Sequence, residues 1–553
     1  MRPHNRPRPA IATFLLASAA LWGCATPQIV PDETVPEVIV DLPPTFAQAD
    51  SAAVYNPLRW WTAFDDPVLD RLVDSALVAN LDLAEAVARV DETRARAGLS
   101  RASLWPGITA STSVTHSDSP SNTGQFAAFG TDLPSGIPTD TTGGGIPSSD
   151  ESSDRISFTQ TSLTLGVQYE LDFWGRARNE TRASVGDLYA SAADLQAARL
   201  GVLAQTISTY FEIVDLRSRI ELTVESLSLI DDRLAVTENR YERGLVGSFE
   251  LYQLRQEFRG TQASLPQLER QLTDAEGRLA ALVGVYAGQL GAMLPDSTRP
   301  RLVIDDVPAG LPSELLIQRP DVRAAAYRYE AARYRIGAAR AQLFPSVSLG
   351  GSVGTQADGV LGLLDPAQWV ASLTAGVTAP LFQGGRLRSN VEVAEAGYRR
   401  LGAAYARSVL TAFRETETAL EAYEEERQRY TLLADQLSEA QASAQLQADR
   451  YRRGVGDVTD YLDALRAEVS VQTQLASAAR SVALAQLDIH RALGGGWIED
   501  GVVPDIRLVP GEVATPHALD GRDRPAVPVV GIPSIPDPLR SASGEPPEAV
   551  PTR

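Results

Sequence analysis

The chain has 553 residues and a formal net charge of −20, and each of its 50 basic residues is an arginine. The acidic balance disfavours nucleic acid as a partner, because no basic stripe is present to displace counterions from phosphates. The absence of lysine excludes Schiff-base chemistry and the phosphate-binding loop that ends in Lys followed by Ser or Thr.

The first 23 residues have the pattern of a bacterial export signal. Arg2, Arg6 and Arg8 precede an apolar run from 11 to 21. This run has the length of a signal-peptide core and is too short to span a bilayer. We therefore predict that residues 1–23 are a signal peptide.

The single cysteine, Cys24, follows this signal directly. Its context, Leu21-Trp22-Gly23-Cys24, resembles a bacterial lipobox, which implies that the thiol is acylated and becomes the mature N-terminus, although Trp22 stands where a small residue is usual. Ala25, in place of Asp, favours the outer membrane under the general sorting rule for lipoproteins. The alternative is a thiol buried in a core. We predict a lipid-anchored linker at 24–60 and no cofactor other than the covalent lipid.

Four segments alternate between apolar and polar residues, as half-exposed β-strands do. They lie near 107–115, 158–173, 345–354 and 370–382. About ten alternating residues suit a tilted membrane strand with lipid on one face and water on the other. A half-buried strand of a soluble sheet has the same pattern, so alternation alone leaves both interpretations open. Residues 116–155, rich in Gly, Ser, Thr and Pro, are predicted to form an exposed loop.

Two helices of unusual length are predicted, from Ala177 to Arg243 and from Leu387 to Arg453. Neither stretch contains proline and each has only two glycines, and at 1.5 Å per residue each makes about 100 Å of helix. Apolar residues at heptad spacing, such as Ile213 and Ile220, indicate coiled-coil packing of antiparallel helices. Shorter helical segments are predicted near 67–103, 249–283, 313–342 and 457–493.

The chain contains an internal sequence repeat. Arg240-Tyr241-Glu242-Arg243-Gly244 recurs as Arg450-Tyr451-Arg452-Arg453-Gly454, at an offset of 210 residues. Leu104-Trp105-Pro106 recurs as Leu343-Phe344-Pro345, at an offset of 239 residues. The first copy therefore carries an insertion of 29 residues, which we assign to the loop between the first two strands.

Each half is predicted to contain helix, strand, loop, strand, long helix, tight turn and helix. The halves are 61–300 and 301–498, and a Pro-rich tail at 499–553 lacks the apolar content of a folded domain. Glycines at 244–247 and 454–457 interrupt helices that are otherwise free of breakers, so each is predicted to be the tip of a helical hairpin.

Four strands with one apolar face do not close a barrel, and open edges are not tolerated in lipid. Closure therefore requires strands from other copies, and only a ring larger than eight strands leaves a water-filled lumen. We expect a mixed α/β membrane protein whose β-barrel continues into a long α-helical coiled-coil barrel. Three chains would give twelve strands, although this geometry does not prove a trimer.

Several motifs together are specific to one family. The sequence resembles the TolC-like outer membrane factors, in particular the lipoproteins of resistance-nodulation-division efflux systems. The resemblance covers roughly 55–498. The motifs that carry it are Trp60-Trp61-Thr62-Ala63-Phe64-Asp65-Asp66-Pro67-Val68-Leu69, Asn80-Leu81-Asp82-Leu83, Ala86-Val87-Ala88-Arg89-Val90, Tyr169-Glu170-Leu171-Asp172-Phe173-Trp174-Gly175-Arg176, Gln318-Arg319-Pro320-Asp321-Val322-Arg323, Ile336-Gly337 and Phe344-Pro345, with the two Arg-Tyr-x-x-Gly tips.

This resemblance implies a homotrimer with a twelve-stranded barrel in the outer membrane of a Gram-negative bacterium and a large periplasmic α-barrel. It implies a passive exit duct for small molecules such as drugs or metal ions, which docks to a periplasmic adaptor protein and an inner-membrane pump. The predicted adaptor contacts lie at the two hairpin tips: Arg240, Tyr241, Gly244, Arg450, Tyr451 and Gly454.

The family also implies a periplasmic gate just beyond the second tip. Asp463 and Arg466 match the family's gate carboxylate and arginine, Thr459 stands where a bulky apolar residue is frequent, and Asp457 and Asp460 add acidic groups. A ring of like charges would attract cations and be costly to desolvate. The alternative is that Asp457 only caps a helix and Asp463 pairs with Arg466 on a solvated face.

Three other functions compete with the efflux duct. Gly350-Gly351-Ser352-Val353-Gly354 fits the nucleophile-elbow pattern of hydrolases, but no helix follows it directly, so we predict no enzymatic activity. We also predict no metal site, since the sequence has no His/Cys cluster. A duct for type I protein secretion and a non-channel coiled-coil lipoprotein spacer remain as alternatives.

Overall fold

The computed structural model describes residues 59–120, 155–294, 319–357 and 360–495. The predicted signal peptide, Cys24, nearly all of the linker, most of the loop at 116–155 and the tail at 499–553 lie outside these residues. The described residues divide into two compact units. A sheet unit contains Gly98–Thr181 and Arg335–Val393, and a helical unit contains the remaining described segments.

Eight helices are labelled here in chain order within the described residues, and three short 3-10 helices accompany them at Trp60–Phe64, Val360–Leu364 and Pro366–Gln368. The helices are α1 Pro67–Ala79, α2 Leu81–Ala102, α3 Arg176–Glu242, α4 Ser248–Val283, α5 Ala287–Leu290, α6 Pro320–Ala341, α7 Arg386–Arg452 and α8 Val458–Ala492. No helix in the ranges described is both long enough and apolar enough to cross a membrane.

The four strands of the sheet unit form one antiparallel sheet in the order β1-β2-β3-β4. They are β1 Gly107–Pro120, β2 Arg155–Leu171, β3 Ser346–Ala357 and β4 Trp369–Thr378. Because β2 of the first sequence half pairs with β3 of the second, the two halves share a sheet and do not fold as separate domains.

The register places the apolar residues of all four strands on the same face. Val167 lies between Ile108 of β1 and Gly351 of β3, and Gly351 in turn lies opposite Leu373 of β4. Since side chains alternate between faces with a period of two, every second residue joins this face. The opposite face carries serines and threonines, and Ser352 and Ser372 are joined there across the strands at 2.7 Å between their Oγ atoms.

The strand ends differ from those predicted, for local reasons. β1 continues to Pro120 and β2 begins at Arg155, so both strands extend into the predicted loop. β2 ends before Phe173, because Asp172 turns its carboxylate to the amides of Ala177 and Arg178, at 3.2 and 2.9 Å. β4 ends at Thr378 and not at 382, since Pro380 has no N–H for a ladder hydrogen bond.

Asp172 begins helix α3 by satisfying two of the amides that a helix leaves unpaired at its N-terminus. In the same motif, Trp174 stacks on Phe344, with ring centroids 4.7 Å apart. The Trp174 Nε1 donates a hydrogen bond of 2.6 Å to the carbonyl oxygen of Pro345. Two of the motifs that carry the family resemblance are therefore in contact at the ends of β2 and β3.

The predicted helix at 67–103 is two helices, divided at Asn80. The backbone of Asn80 is extended at ψ 129° and its amide closes α1 on the carbonyl of Ala76. Its side-chain oxygen then accepts from the Leu83 amide at 3.0 Å, which caps α2. Its side-chain nitrogen donates to the carbonyl of Leu282 at 2.9 Å. One asparagine thus ends a helix, starts the next and fixes both to α4.

The helical unit has a conventional apolar core. Trp60, Trp61 and Phe64 pack with residues of α1, α3 and α4 in its largest cluster, where Leu72, Leu203, Ile207 and Leu279 are fully enclosed. The heptad positions of α3 are buried at Leu188, Leu195, Leu216 and Ile230. Burial of this kind, and not helix propensity alone, stabilises helices of such length.

Arg319 joins three helices at the start of α6. Its guanidinium lies 2.8 Å from carboxylate oxygens of both Asp321 and Glu415. The same group donates to the carbonyl of Ala492 at the end of α8, at 3.0 Å. The Arg319 side chain is only 9% exposed, so its two carboxylate partners offset the cost of removing the charge from water.

Candidate functional site at the hairpin tips

Both predicted hairpin tips have the same backbone structure. In the first, the amide of Gly244 donates to the carbonyl of Tyr241 at 2.9 Å, and that of Leu245 to Arg240 at 2.8 Å. In the second, Gly454 and Val455 donate in the same way to residues 451 and 450, both at 3.0 Å. This is the Schellman pattern, which requires a left-handed residue at the glycine.

Glycine is needed at both of these positions, because φ is +70° at Gly244 and +73° at Gly454. A residue with a Cβ is strained in that region. The repeated Arg-Tyr-x-x-Gly motif therefore encodes a helix C-terminus. The apolar residue that follows each glycine is exposed, with 69% of Leu245 and 68% of Val455 accessible.

The helices that leave the tips begin differently. The carboxylate of Asp457 accepts a 2.9 Å hydrogen bond from the amide of Thr459 and caps α8. Gly247 occupies the same place before α4 and has no side chain to do so. Two of the residues predicted for the gate, Asp457 and Thr459, thus share a helix cap, and Asp460 lies exposed in the first turn.

One turn further along α8, Arg466 binds two carboxylates. Its guanidinium lies 3.1 Å from Asp463 Oδ1 on the same helix, and its Nε donates to Glu257 of α4 at 3.0 Å. The hydrogen bond with Glu257 is the main cause that raises the pKa of Arg466. The predicted pair of Asp463 and Arg466 is therefore in contact, and the bond from Arg466 to Glu257 ties the second hairpin to the first.

Tyr451 forms the second link between the hairpins. Its ring is 5% exposed and packs in a cluster with Ile230 of α3, Leu254 of α4 and Tyr461 of α8. Its hydroxyl donates to the carboxylate of Glu250 at 2.7 Å. Burial, together with this carboxylate, raises the pKa of Tyr451. The ring of Tyr451 is therefore enclosed by its own chain, and the adaptor contact predicted at this residue stays a prediction.

The remaining predicted tip residues lie at the surface or close to it. Arg240 lies over the ring of Tyr451, with its guanidinium carbon 5.6 Å from the ring centroid. Tyr241 is 43% exposed, in contrast to its repeat equivalent Tyr451. Arg450 is exposed and contacts the side-chain oxygen of Gln447 at 3.5 Å.

Sequence reasoning missed Glu250 and Glu257, the two carboxylates of α4 that bind the second hairpin. Each is more than 200 residues from its partner in the chain. The repeat offset of 210 residues points to Glu250 alone, because it maps Glu250 onto Asp460, which is also acidic. No local pattern distinguishes either residue from the many other acidic residues on exposed helix faces.

The competing chemical sites do not assemble among the described residues. Ser352 of the hydrolase-like pattern lies within strand β3 and pairs with Ser372 of β4, whereas a nucleophile elbow requires a sharp turn between a strand and a helix. His, Cys, Asp and Glu residues of the described ranges form no group of three that could hold a metal ion.

Comparison with known proteins agrees with this architecture of one sheet and two long helical hairpins. The sequence model of the outer membrane efflux protein family matches residues 72–285 and 311–495. The chain belongs to this family of outer membrane efflux proteins.

Among curated relatives, the pyoverdine export outer membrane protein OpmQ of Pseudomonas putida is 32% identical over 493 residues, 88% of this chain and 97% of that protein. Outer membrane protein OprJ of Pseudomonas aeruginosa is 31% identical over 82% of this chain and 89% of its own length. Both relatives are named as outer membrane proteins, and the first is named for the export of pyoverdine.

Among solved structures, the outer-membrane channel OprN has a TM-score of 0.72 and 28% identity, covering 84% of this chain and 99% of that one. The open state of the Neisseria gonorrhoeae MtrE outer membrane channel has a TM-score of 0.69 and 26% identity, covering 84% and 98%. The fold is therefore that of these outer membrane channels.

Proposed function

We propose that three copies of this chain form the exit duct of a tripartite efflux pump, in which a twelve-stranded β-barrel continues into an α-helical barrel. One observation carries the proposal: a four-stranded sheet whose apolar face is left largely uncovered by the described residues, which bury Thr161, Thr355 and Ala357 at one end of it. Leu373 is 88% and Val377 71% exposed on β4, and Ile108 is 68% exposed on β1. Large aliphatic side chains are exposed together on one face of a sheet when that face is solvated by lipid.

The two edges of the sheet support the oligomer. β1 pairs only with β2, and β4 only with β3, so each outer strand keeps one unpaired side within the described residues. Unpaired backbone groups cost several kcal/mol each in hydrocarbon, so the edges must meet other strands there. We propose that β4 of one copy pairs with β1 of the next, and that three copies close the ring around a water-filled lumen.

Cys24 would anchor each copy to the outer membrane of a Gram-negative bacterium through a covalent lipid. The sequence supports this by the lipobox pattern, and a lipid chain adds about 0.8 kcal/mol of membrane affinity per buried CH₂. The barrel would supply the permanent insertion, and the lipid would serve mainly to direct the chain and to concentrate it before assembly.

The exposed hairpin tips would dock a periplasmic adaptor protein, which connects the duct to an inner-membrane pump. Leu245 and Val455 support this, because each tip presents an apolar residue to solvent beside exposed arginines. Surfaces that combine an apolar centre with arginine side chains are typical of protein interfaces. The duct itself would be passive, and small molecules such as drugs or metal ions would cross it along their gradient.

Asp463, Arg466, Asp460, Asp457 and Thr459 would form the closed periplasmic end of the duct. The ion pair of Arg466 with Glu257 holds the second hairpin against the first, and Asp463 contacts the same guanidinium from its own helix. We expect Asp463→Ala to raise the conductance of the closed state in planar bilayers, because it removes one of the two carboxylates that fix Arg466.

A matched control lies on the same helix. Asp488 pairs with Arg491 at 3.4 Å, in the same i,i+3 arrangement but near the other end of α8. Asp488→Ala should therefore leave the closed-state conductance unchanged. Equal conductance of the Asp463→Ala variant and the wild type would remove Asp463 from the gate, and absence of any channel from purified wild-type oligomer would contradict the duct itself.

A further inference from the structure

The two tyrosines of the repeated tip motif have different surroundings in one chain. Tyr451 is enclosed by the first hairpin, where Glu250 accepts from its hydroxyl, Arg240 lies over its ring and Thr237 Oγ1 is 3.3 Å from its hydroxyl. Tyr241 is 43% exposed, and within the described residues it has no carboxylate acceptor for its hydroxyl.

The sequence offset of 210 residues supplies a second set of the same groups. It places Arg450 at the position of Arg240, Asp460 at that of Glu250 and Gln447 at that of Thr237. A cation, a carboxylate and a polar hydrogen-bonding side chain are therefore conserved between the two hairpins, in the same order along them.

This second set is exposed on the second hairpin. Arg450 and Asp460 are both accessible to solvent, and Gln447 is partly so. This second set lies on the second hairpin, which also carries Tyr451. The tyrosine that corresponds to it, Tyr241, lies on the first hairpin. Within one chain, the described residues of the two hairpins meet along one interface, which contains Tyr451 and the ion pair of Arg466 with Glu257.

In a closed ring of copies, each hairpin contacts two neighbouring hairpins, one of its own chain and one of the next copy. The second hairpin of a chain contacts the first hairpin of the same chain, and that first hairpin must then contact the second hairpin of the next copy. If the tyrosine contact has the same form at both places, Tyr241 meets the second hairpin of its neighbour as Tyr451 meets the first hairpin of its own chain.

We propose that the hydroxyl of Tyr241 donates a hydrogen bond to Asp460 of the neighbouring copy and that its ring lies under Arg450 of that copy. This inference rests on the proposed oligomeric duct and assigns the residues of one contact between its subunits. Asp460 is then a hydrogen-bond acceptor between copies at the closed end of the duct, and not an unpaired charge facing the lumen.

The proposed contact between copies lacks one interaction that the contact within a chain has, namely an ion pair. Arg466 and Glu257 form an ion pair within the chain, but the offset maps them to Gln256 and Ala467, which have no charge. The tyrosine contact between copies therefore consists of a hydrogen bond to a charged group without a neighbouring ion pair. The hairpins should therefore separate more readily between copies than within one chain.

Crosslinking of the full-length protein in outer membranes tests the assignment. Cysteines at Tyr241 and Asp460 should be joined by a short flexible bis-maleimide into covalent dimers and trimers on denaturing gels. Cysteines at Tyr451 and Glu250 form the matched control, which should give an internally linked monomer of altered mobility. Each single substitution, with Cys24 retained, shows whether the native cysteine contributes.

The oligomer is measured in the same samples by unheated electrophoresis and light scattering. Oligomers in which the Tyr241 and Asp460 pair gives no crosslink between chains, while the control pair reacts, would overturn the contact and leave the duct intact. Monomers throughout would contradict the duct. In bilayers, Tyr241→Phe and Asp460→Asn should each raise closed-state conductance several-fold, with no further rise when combined, and fully additive effects would contradict a direct bond.

Discussion

The two units of this chain differ in whether their leucines are exposed or buried. In the sheet unit Leu373 is 88% exposed, and in the helical unit Leu279 is fully buried. Helices α3 and α4 cover their apolar stripes with each other, whereas most of the apolar face of the sheet is not covered by any described element of the chain. This difference is the one that the proposed duct requires, in which the helical unit would face water and the apolar face of the sheet would face lipid.

Truncation of a core leucine should give the largest loss of stability. Leu279→Ala removes a fully enclosed side chain from the main cluster of the helical unit, and such changes cost about 2–5 kcal/mol of unfolding free energy. Denaturant unfolding of detergent-solubilised protein, followed by helical circular dichroism, measures the loss. Leu81→Ala is the control, since Leu81 is 77% exposed and its change should stay within about 0.5 kcal/mol. Equal losses would contradict this core.

A charge on the outer face of the sheet should have the next largest effect. Leu373→Arg places a guanidinium at the middle of β4, and a charge at the bilayer midplane of a β-barrel costs about 2–4 kcal/mol. The yield of folded, heat-modifiable oligomer in outer membranes should fall strongly. Thr374→Arg, on the opposite face of the same strand, should assemble almost normally. The reverse order of the two variants would show that the polar face meets lipid.

The sequence was sufficient for elements whose signal is local and repeated. The long helices were predicted from their lack of proline and their heptads to within one residue of α3 and α7 at each end. The four strands were found by alternation, but the end of β2 was not, because Asp172 acts through hydrogen bonds that composition does not reveal. The division of the predicted helix at 67–103 was missed for the same reason, since Asn80 caps both helices through its side chain and backbone. Alternation also did not predict the register that aligns the four apolar faces.

At the hairpin tips, too, local sequence predicted the turns but not the contacts between distant residues. The turns at Gly244 and Gly454 followed from the glycines, and Asp463 and Arg466 were identified by family resemblance. That Tyr451 is buried against Glu250, while Tyr241 is exposed, depends on which hairpin packs on which face. Such contacts join residues about 200 positions apart, and one repeat motif gives both tyrosines the same local sequence.

His490 offers the smallest test, and it concerns the helical unit alone. This histidine is 6% exposed and stacks on Trp60, with ring centroids 4.8 Å apart. Burial lowers the pKa of His490 to about 4. The unfolded chain, with an ordinary histidine pKa of about 6.5, therefore binds the proton first as the pH falls.

Stability should consequently be lost as the pH falls from about 6.5 towards 4, by at most about 1.4 kcal/mol per pH unit from this group. Above about pH 8 the histidine is almost entirely neutral in both states and contributes almost no pH dependence. Unfolding midpoints of the wild type and His490→Gln, measured between pH 7.5 and 5, isolate the effect, because all other groups titrate alike in both. The wild-type curve should fall more steeply below pH 6.5. Parallel curves would mean that His490 accepts its proton in the folded protein, and hence that water reaches the stack with Trp60.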